Sequence, residues 1–238
     1  APGVFWTHND SGSQPVLYAF GMKGEDLGAF TVREAAAVDW EDVASYSLKG
    51  QNFILIADVG DNNTKRSDCT IYIVKEPKAS NGRMRPSDLQ LAARQGFVYE
   101  GGPRNCESAA VDPVRREIVL VSKTFDGACN AYAMPLPERK TPARAVAKPV
   151  ATMKIPTTTA MDISPDGLRA VVLTYGDAYE YTRGPKEDWG KAFSREPRVL
   201  KMPQRAQGES ICYGPDGVKL YLTSEKQPTP LIEVAPEK

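Results

Sequence analysis

The sequence predicts an all-β fold, a five-bladed β-propeller, and three observations carry that reading. First, glycine and proline number 19 each in 238 residues and are spread along the chain. Such even punctuation marks many short strands joined by tight turns. Second, three segments align without gaps: DPVRREIVLVSK from Asp112, SPDGLRAVVLTY from Ser164 and GPDGVKLYLTSE from Gly214. Each is a proline-containing turn followed by an alternating apolar strand. In Pro-Asp-Gly the Pro presets φ and the Gly accepts a positive φ, so the turn has a mechanism. Third, Glu107, Thr159 and Glu209 stand five residues before these frames, 52 and 50 residues apart, each opening a short strand. About four strands per unit at a period near 50 residues is a propeller-blade pattern.

The blades then follow in chain order. Blade 1 (residues 1–36) starts at a second strand, GVFWTHND, and continues through VLYAF and GAFTV. Its innermost strand is expected to be missing from this chain, supplied by residues upstream of Ala1 or by a neighbour. A propeller closes by pairing strands from both chain ends in one blade, which removes open edges. Blade 2 (37–103) reads WEDVA, FILIAD, TIYIV and GFVYE; blade 3 (104–156) reads CESAAV, the strand of the DPVRREIVLVSK frame, NAYAM and VATMKI. Blade 4 (157–206) reads TAMDIS, the strand of the SPDGLRAVVLTY frame, AYEYT and RVLKM, and blade 5 (207–238) reads ESICY, the strand of the GPDGVKLYLTSE frame and PLIEV with no outermost strand. Helix is expected only as a turn or two at Glu34–Ala37 and Pro86–Arg94, the latter opening on Pro-Ser-Asp. A β-sandwich with coincidental turn spacing is the alternative architecture.

Composition removes several function classes. Lys+Arg and Asp+Glu are both 30, so the net charge is zero. Nucleic acid and anionic membrane select a basic excess, and neither is an expected partner. The longest apolar run, Phe53 to Ala57, is far too short to span a bilayer. A hydrophobic content of 41% with mean hydropathy −0.40 is that of a folded soluble domain. With one histidine, His8, and no Cys-x-x-Cys pair, a Cys/His zinc site is excluded. No nucleophile elbow, P-loop, dinucleotide fingerprint or His-Glu-x-x-His occurs. No organic cofactor is expected. The four cysteines suit an oxidising compartment. Cys106 is expected to pair with Cys69 or Cys129 near one face, and Cys212 to be a buried thiol.

An ordered set of motifs adds a resemblance. FWTHNDSG, VDWEDVA, ADVGDN with TIYIVKEP, GPRNCESAAVDP, MDISPDG with LTYGDAYEY, and QGESICYGPDG follow one another from Gly3 to Val234. The chain resembles a family of secreted bacterial β-propeller proteins, similar at a distance to the esterase-like phytase and gluconolactonase-type propellers. The resemblance implies the propeller fold and export by a signal peptide to the periplasm or exterior of a bacterium. It implies no activity, because propellers host unrelated functions.

Innermost strands line a propeller's channel, so Glu41, Glu107 and Glu209 are expected around its mouth with Thr159. Carboxylates sharing one axis repel unless a cation, a proton or a basic group intervenes. They therefore serve as ligands of a divalent cation such as Ca²⁺, or tie adjacent blades by accepting backbone hydrogen bonds. The ends of the second strands bring His8, Asp10, Asp58, Lys123, Tyr175 and Glu225 to the same rim, an assortment suited to a polar ligand. Asp10-Ser11-Gly12 and Gly60-Asp61-Asn62 are equally well read as tight turns. The expected function is binding of a polar small molecule or a peptide strand by a monomer or weak oligomer. The alternatives are a metal-dependent hydrolase of lactonase, phosphoesterase or phytase type and a protein-interaction platform.

Overall fold

A computed structural model describes residues 3–78, 84 and 87–235. They form five blades of three or four strands, one per expected blade, of which blades 2 and 3 share an eight-stranded sheet. Blade 1 contains β1 (Val4–His8), β2 (Val16–Gly21) and β3 (Asp26–Thr31), antiparallel in that order. Blade 2 contains β4 (Trp40–Leu48), β5 (Gln51–Asp58), β6 (Cys69–Lys75) and β7 (Leu91–Tyr99). Blade 3 contains β8 (Cys106–Asp112), β9 (Glu117–Ser122), β10 (Cys129–Pro135) and β11 (Lys140–Met153). Blade 4 contains β12 (Thr158–Ile163), β13 (Arg169–Thr174), β14 (Ala178–Thr182) and β15 (Arg198–Leu200). Blade 5 contains β16 (Gly208–Tyr213), β17 (Leu220–Ser224) and β18 (Ile232–Val234). The order within each blade is that of the sequence reading. Among the described residues β1, the strand of blade 1 facing the axis, pairs only with β2.

The second strands explain why the blades pack. Side chains alternate across a strand, and these strands are apolar on both faces. Ile54 and Ile56 of β5 join the core shared with blade 1, while Leu55 and Ala57 join the core shared with blade 3. β9 does the same: Ile118 and Leu120 face blade 2, Val119 and Val121 face blade 4. In β13, Ala170 and Val172 face blade 3, and Val171 and Leu173 face blade 5. Each of the four interfaces from blade 1 to blade 5 thus has its own apolar cluster. Between blade 5 and blade 1 the described residues form none. There the Phe5 ring lies 5.1 Å from Tyr221 and 5.3 Å from Phe20.

Polar ties supplement these cores. Innermost strands leave backbone N–H groups pointing at the axis, and buried ones need acceptors. Asp42 of β4 supplies one carboxylate oxygen to the N–H groups of Ala109 in β8 (2.9 Å) and Met161 in β12 (3.2 Å). Asp162 does so for Tyr213 N–H of β16 at 2.8 Å. Between blades 3 and 4 the fully buried Asp112 carboxylate accepts from Arg183 at 2.6 Å and from the Trp189 indole at 3.0 Å. On the outside, β7 and β11 pair in parallel, joining blades 2 and 3 into one sheet that curls back until β4 and β8 lie side by side.

Three expectations are corrected. Glu34–Ala37 forms a turn and irregular chain rather than helix, and Leu91–Arg94 lies in β7; Pro86 lies outside the described residues. The helix is instead α1 (Trp189–Phe193), capped by the Asp188 carboxylate accepting from Lys191 N–H. No disulfide forms: all four cysteines are free. Cys106 is wholly buried with Ser108 and Val121 carbonyls within reach of its thiol, and burial pushes it up to about 12, leaving an inert thiol. The cysteines therefore lend no support to an oxidising compartment.

Candidate functional site

All four innermost strands carry the same irregularity. Trp40 pairs with Asp58 and Asp42 with Ala57, so Glu41 is an extra residue facing no partner. Glu107, Thr159 and Glu209 are skipped in the same way in β8, β12 and β16. A bulge at this position turns a side chain out of the alternating ladder and re-aims it. The equivalence read from the repeat is therefore a structural one. Thr159 uses its hydroxyl to bond the Gly208 carbonyl of the next blade at 2.7 Å, whereas the three glutamates line a cavity of about 690 Å³.

That cavity is lined by residues of all five blades. Its wall includes His8 and Asp10 from blade 1, Glu41 from blade 2, Glu107 and Lys123 from blade 3, Tyr175 from blade 4, and Glu209 and Glu225 from blade 5. Phe5, Trp6 and Tyr221 supply its aromatic side. Eight of the nine residues singled out from the sequence thus meet in one place. Asp58 does not. It is buried, accepts from the N–H groups of Val38 (3.3 Å) and Asp39 (3.1 Å), and pairs with Arg66 at 2.9 Å. Its role is to hold the segment that leads into β4.

The glutamates do not share one centre. Glu107 bonds Lys123 Nζ at 3.0 Å and the Asn105 amide at 3.1 Å. Lys123 also donates to the Tyr175 hydroxyl at 2.7 Å, with its ammonium 4.9 Å from the ring centre. Burial alone would lower Lys123, but the Tyr175 hydroxyl and Glu107 hold it above the ordinary lysine value. Glu209 accepts from the Gln207 amide at 2.8 Å, and burial still raises it to about 7. Glu41 is the exception. Its carboxylate comes within 4.8 Å of those of Asp39 and Asp10. Burial first, then the charges of Glu107, Asp39 and Asp10, push it up to about 10.

The difference lies two residues before each bulge. That position is Asn105 in blade 3 and Gln207 in blade 5, amides able to donate to the following glutamate. In blade 2 it is Asp39, a second carboxylate, itself raised by burial and by Asp10. Gly60 lies against the pair: a Cβ there would collide with both the Glu41 and Asp39 carboxylates. Sequence reasoning missed Asp39, Asn105 and Gln207, although the repeat places all three at one register. The ring of His8 lies against Trp40, 5.9 Å between centres, with Nδ1 2.9 Å from the Asn9 carbonyl oxygen. Burial lowers its pKa from the ordinary histidine value, which favours the neutral imidazole.

No protein-family model matches this chain, and no curated protein matches it. Solved structures do. One, described as a "putative 6-phosphogluconolactonase" from Bacteroides uniformis, superposes with TM-score 0.51 at 13% identity, covering 97% of this chain and 63% of that one. The chain thus spans less than two thirds of that protein's length. The periplasmic gluconolactonase PpgL of Pseudomonas aeruginosa superposes with TM-score 0.47 at 11% identity over 97% of this chain and 65% of that one. The likeness is one of fold: an all-β propeller. No helix among the described residues is long and apolar enough to cross a membrane.

Proposed function

We propose that the chain binds a polar ligand in the cavity at the channel mouth, together with a divalent cation held by Asp10, Asp39 and Glu41. One observation carries the reading: where blades 3 and 5 place an amide against the bulge glutamate, blade 2 places Asp39. Two facing carboxylates without a donor are stable only with a proton or a cation between them. The donor set fits a hard cation such as Ca²⁺, since it is all oxygen and Gly60 adds no side chain to it. Lys123, Tyr175, Glu209 and Glu225 complete a wall of mixed charge that suits a ligand bearing hydroxyls and an anionic group. On the resemblance, the place of action is the periplasm or exterior of a bacterium.

The test is calorimetric titration of chelator-treated protein with CaCl₂ at about pH 8 and about pH 6. The expected result is one site per chain, weaker at the lower pH because the cation must displace protons. Glu41→Gln removes the site and Glu209→Gln keeps it. Absence of binding at both pH values leaves the Glu41–Asp39 pair as protonated structural groups and overturns the cation.

A second reading, hydrolysis of a lactone or phosphoester, is favoured by His8. Its imidazole lies on the cavity wall beside the acidic cluster, and burial favours the neutral form that a general base needs. The cation would polarise the substrate and His8 would deprotonate water. Turnover of lactones or phosphomonoesters that needs Ca²⁺ and falls at least about a hundredfold in His8→Asn would support it.

A further inference from the structure

Lys123 has a donor left over. An ammonium carries three N–H groups, and Lys123 gives one to Glu107 at 3.0 Å and one to the Tyr175 hydroxyl at 2.7 Å. Its side chain is only 8% exposed, and both it and Tyr175 line the cavity. The Tyr175 oxygen accepts from Lys123, so its own hydrogen is left to donate, and among the described residues nothing accepts it. Asn62 adds a third donor to the cavity wall. Its amide oxygen is taken by Asn105, which also bonds Glu107, and its NH₂ has no acceptor among the described residues. Glu107, between these donors, is already matched by Lys123 and Asn105. Blades 2, 3 and 4 thus each bring a donor to the cavity for an acceptor that no described residue supplies.

The turn that carries Tyr175 is held at some cost. Arg205 Nη2 donates to the carbonyls of Thr174 at 2.7 Å and Gly176 at 2.8 Å, the residues on either side of Tyr175, and Nη1 donates to the Pro203 carbonyl at 3.2 Å. Its Nε is buried without an acceptor among the described residues, and burial lowers its pKa from the ordinary arginine value. A Cβ at Gly208 would collide with this guanidinium, so the glycine makes room for it. Desolvating a cation and giving it only carbonyls is unfavourable. What the arrangement secures is Tyr175, 41% exposed, with its ring over the Lys123 ammonium instead of in a core.

We infer that Lys123, Tyr175 and Asn62 form a subsite for the carboxylate of a monocarboxylic acid free in solution. The Lys123 nitrogen and the Tyr175 oxygen, 2.7 Å apart, can each donate to one oxygen of a single carboxylate, a charge-assisted two-point contact. Charge counting selects a single negative charge. Among the described residues that line the cavity Lys123 is the only lysine or arginine, while Glu107, Glu209 and Glu225 line it too. A dianion such as phosphate would meet those carboxylates with no second cation to offset them. The inference rests on the reading of the cavity as a polar-ligand site and gives that ligand's anionic group its chemical class.

The test is a titration of calcium-free, isotope-labelled protein with sodium lactate at constant ionic strength, read from the amide shifts of Lys123 and Tyr175. Lactamide, which has the same shape without the charge, and inorganic phosphate at slightly alkaline pH, where it is a dianion, are the comparison probes. The expected result is saturable shifts at millimolar lactate, with both other probes weaker by at least about tenfold. Lys123→Met together with Glu107→Gln removes the ion pair without stranding either charge and abolishes binding. Tyr175→Phe keeps the ring and the turn and weakens binding by about tenfold. Lactamide binding as tightly as lactate overturns the carboxylate, and phosphate binding more tightly overturns the single charge. Lactate binding that is absent from the unmodified protein, or unchanged in Tyr175→Phe or in the double variant, overturns the subsite. Calcium plays no part in this measurement. Lactate binding by a protein that takes up no calcium removes the cation alone, and calcium uptake without lactate binding removes this subsite alone.

Discussion

Asp112 has no contact with solvent, yet its carboxylate is fully matched. Val114 and Arg115 N–H donate to one oxygen, and Arg183 and the Trp189 indole to the other. Arg183 also stacks 4.2 Å from the Trp189 ring centre and donates to the Gly167 carbonyl at 2.7 Å. Removing one partner of such a pair strands the other, so Arg183→Met is expected to destabilise the protein by about 3–5 kcal/mol in denaturant titration. The Asp42 ties follow the same logic with neutral donors. Asp42→Ala leaves Ala109 and Met161 N–H buried without acceptors and is expected to cost about 2–6 kcal/mol. Glu41 contributes to the pH dependence, as do Asp42 and Asp162, which burial raises in the same direction. The unfolded chain releases the Glu41 proton near 4.5, whereas the folded protein keeps it to about 10. The folded state therefore binds more protons across that window, and stability falls as pH rises through it. Glu209 adds a smaller effect of the same sign between 4.5 and about 7. Melting temperature measured from about pH 5 to pH 9 should decline, and both Glu41→Gln and saturating Ca²⁺ should flatten the decline.

At the level of elements, strands were legible because their signal is periodic and repeated, and α1 was not because its signal is local and contradictory. Its five residues include Gly190, a poor helix former, in WGKAF. The reason for that glycine is tertiary: a Cβ at Gly190 would stand 2.7 Å from the Val150 carbonyl oxygen of β11. Gly190→Ala, a gain in helix propensity, is accordingly expected to destabilise by about 1–3 kcal/mol through overpacking. The Pro-Ser-Asp at residues 86–88 misled for the opposite reason, since a helix start signal was overridden when Leu89 bridged to Val32 and Leu91–Tyr99 joined the sheet. The cavity residues were legible through the repeat, which fixes the level of each side chain along its blade. The repeat does not say what each side chain bonds. The blade ties turned out to be Asp42, Asp162 and Thr159, while Glu107 went to Lys123 and Asp58 to a loop.

For the molecule as a whole, the core is distributed over four interfaces in series, and consecutive residues of one strand belong to different interfaces. Stability in such an array is close to a sum of unit and nearest-neighbour contributions. A ring closed by five equal interfaces has no first unit to lose. The described residues have four cores and a seam where Phe5 meets Tyr221, an arrangement that is energetically a line, and a line frays from its ends. Blades 1 and 5 should therefore exchange their amides ahead of blade 3, a gradient along the sequence that native-state hydrogen exchange would display directly.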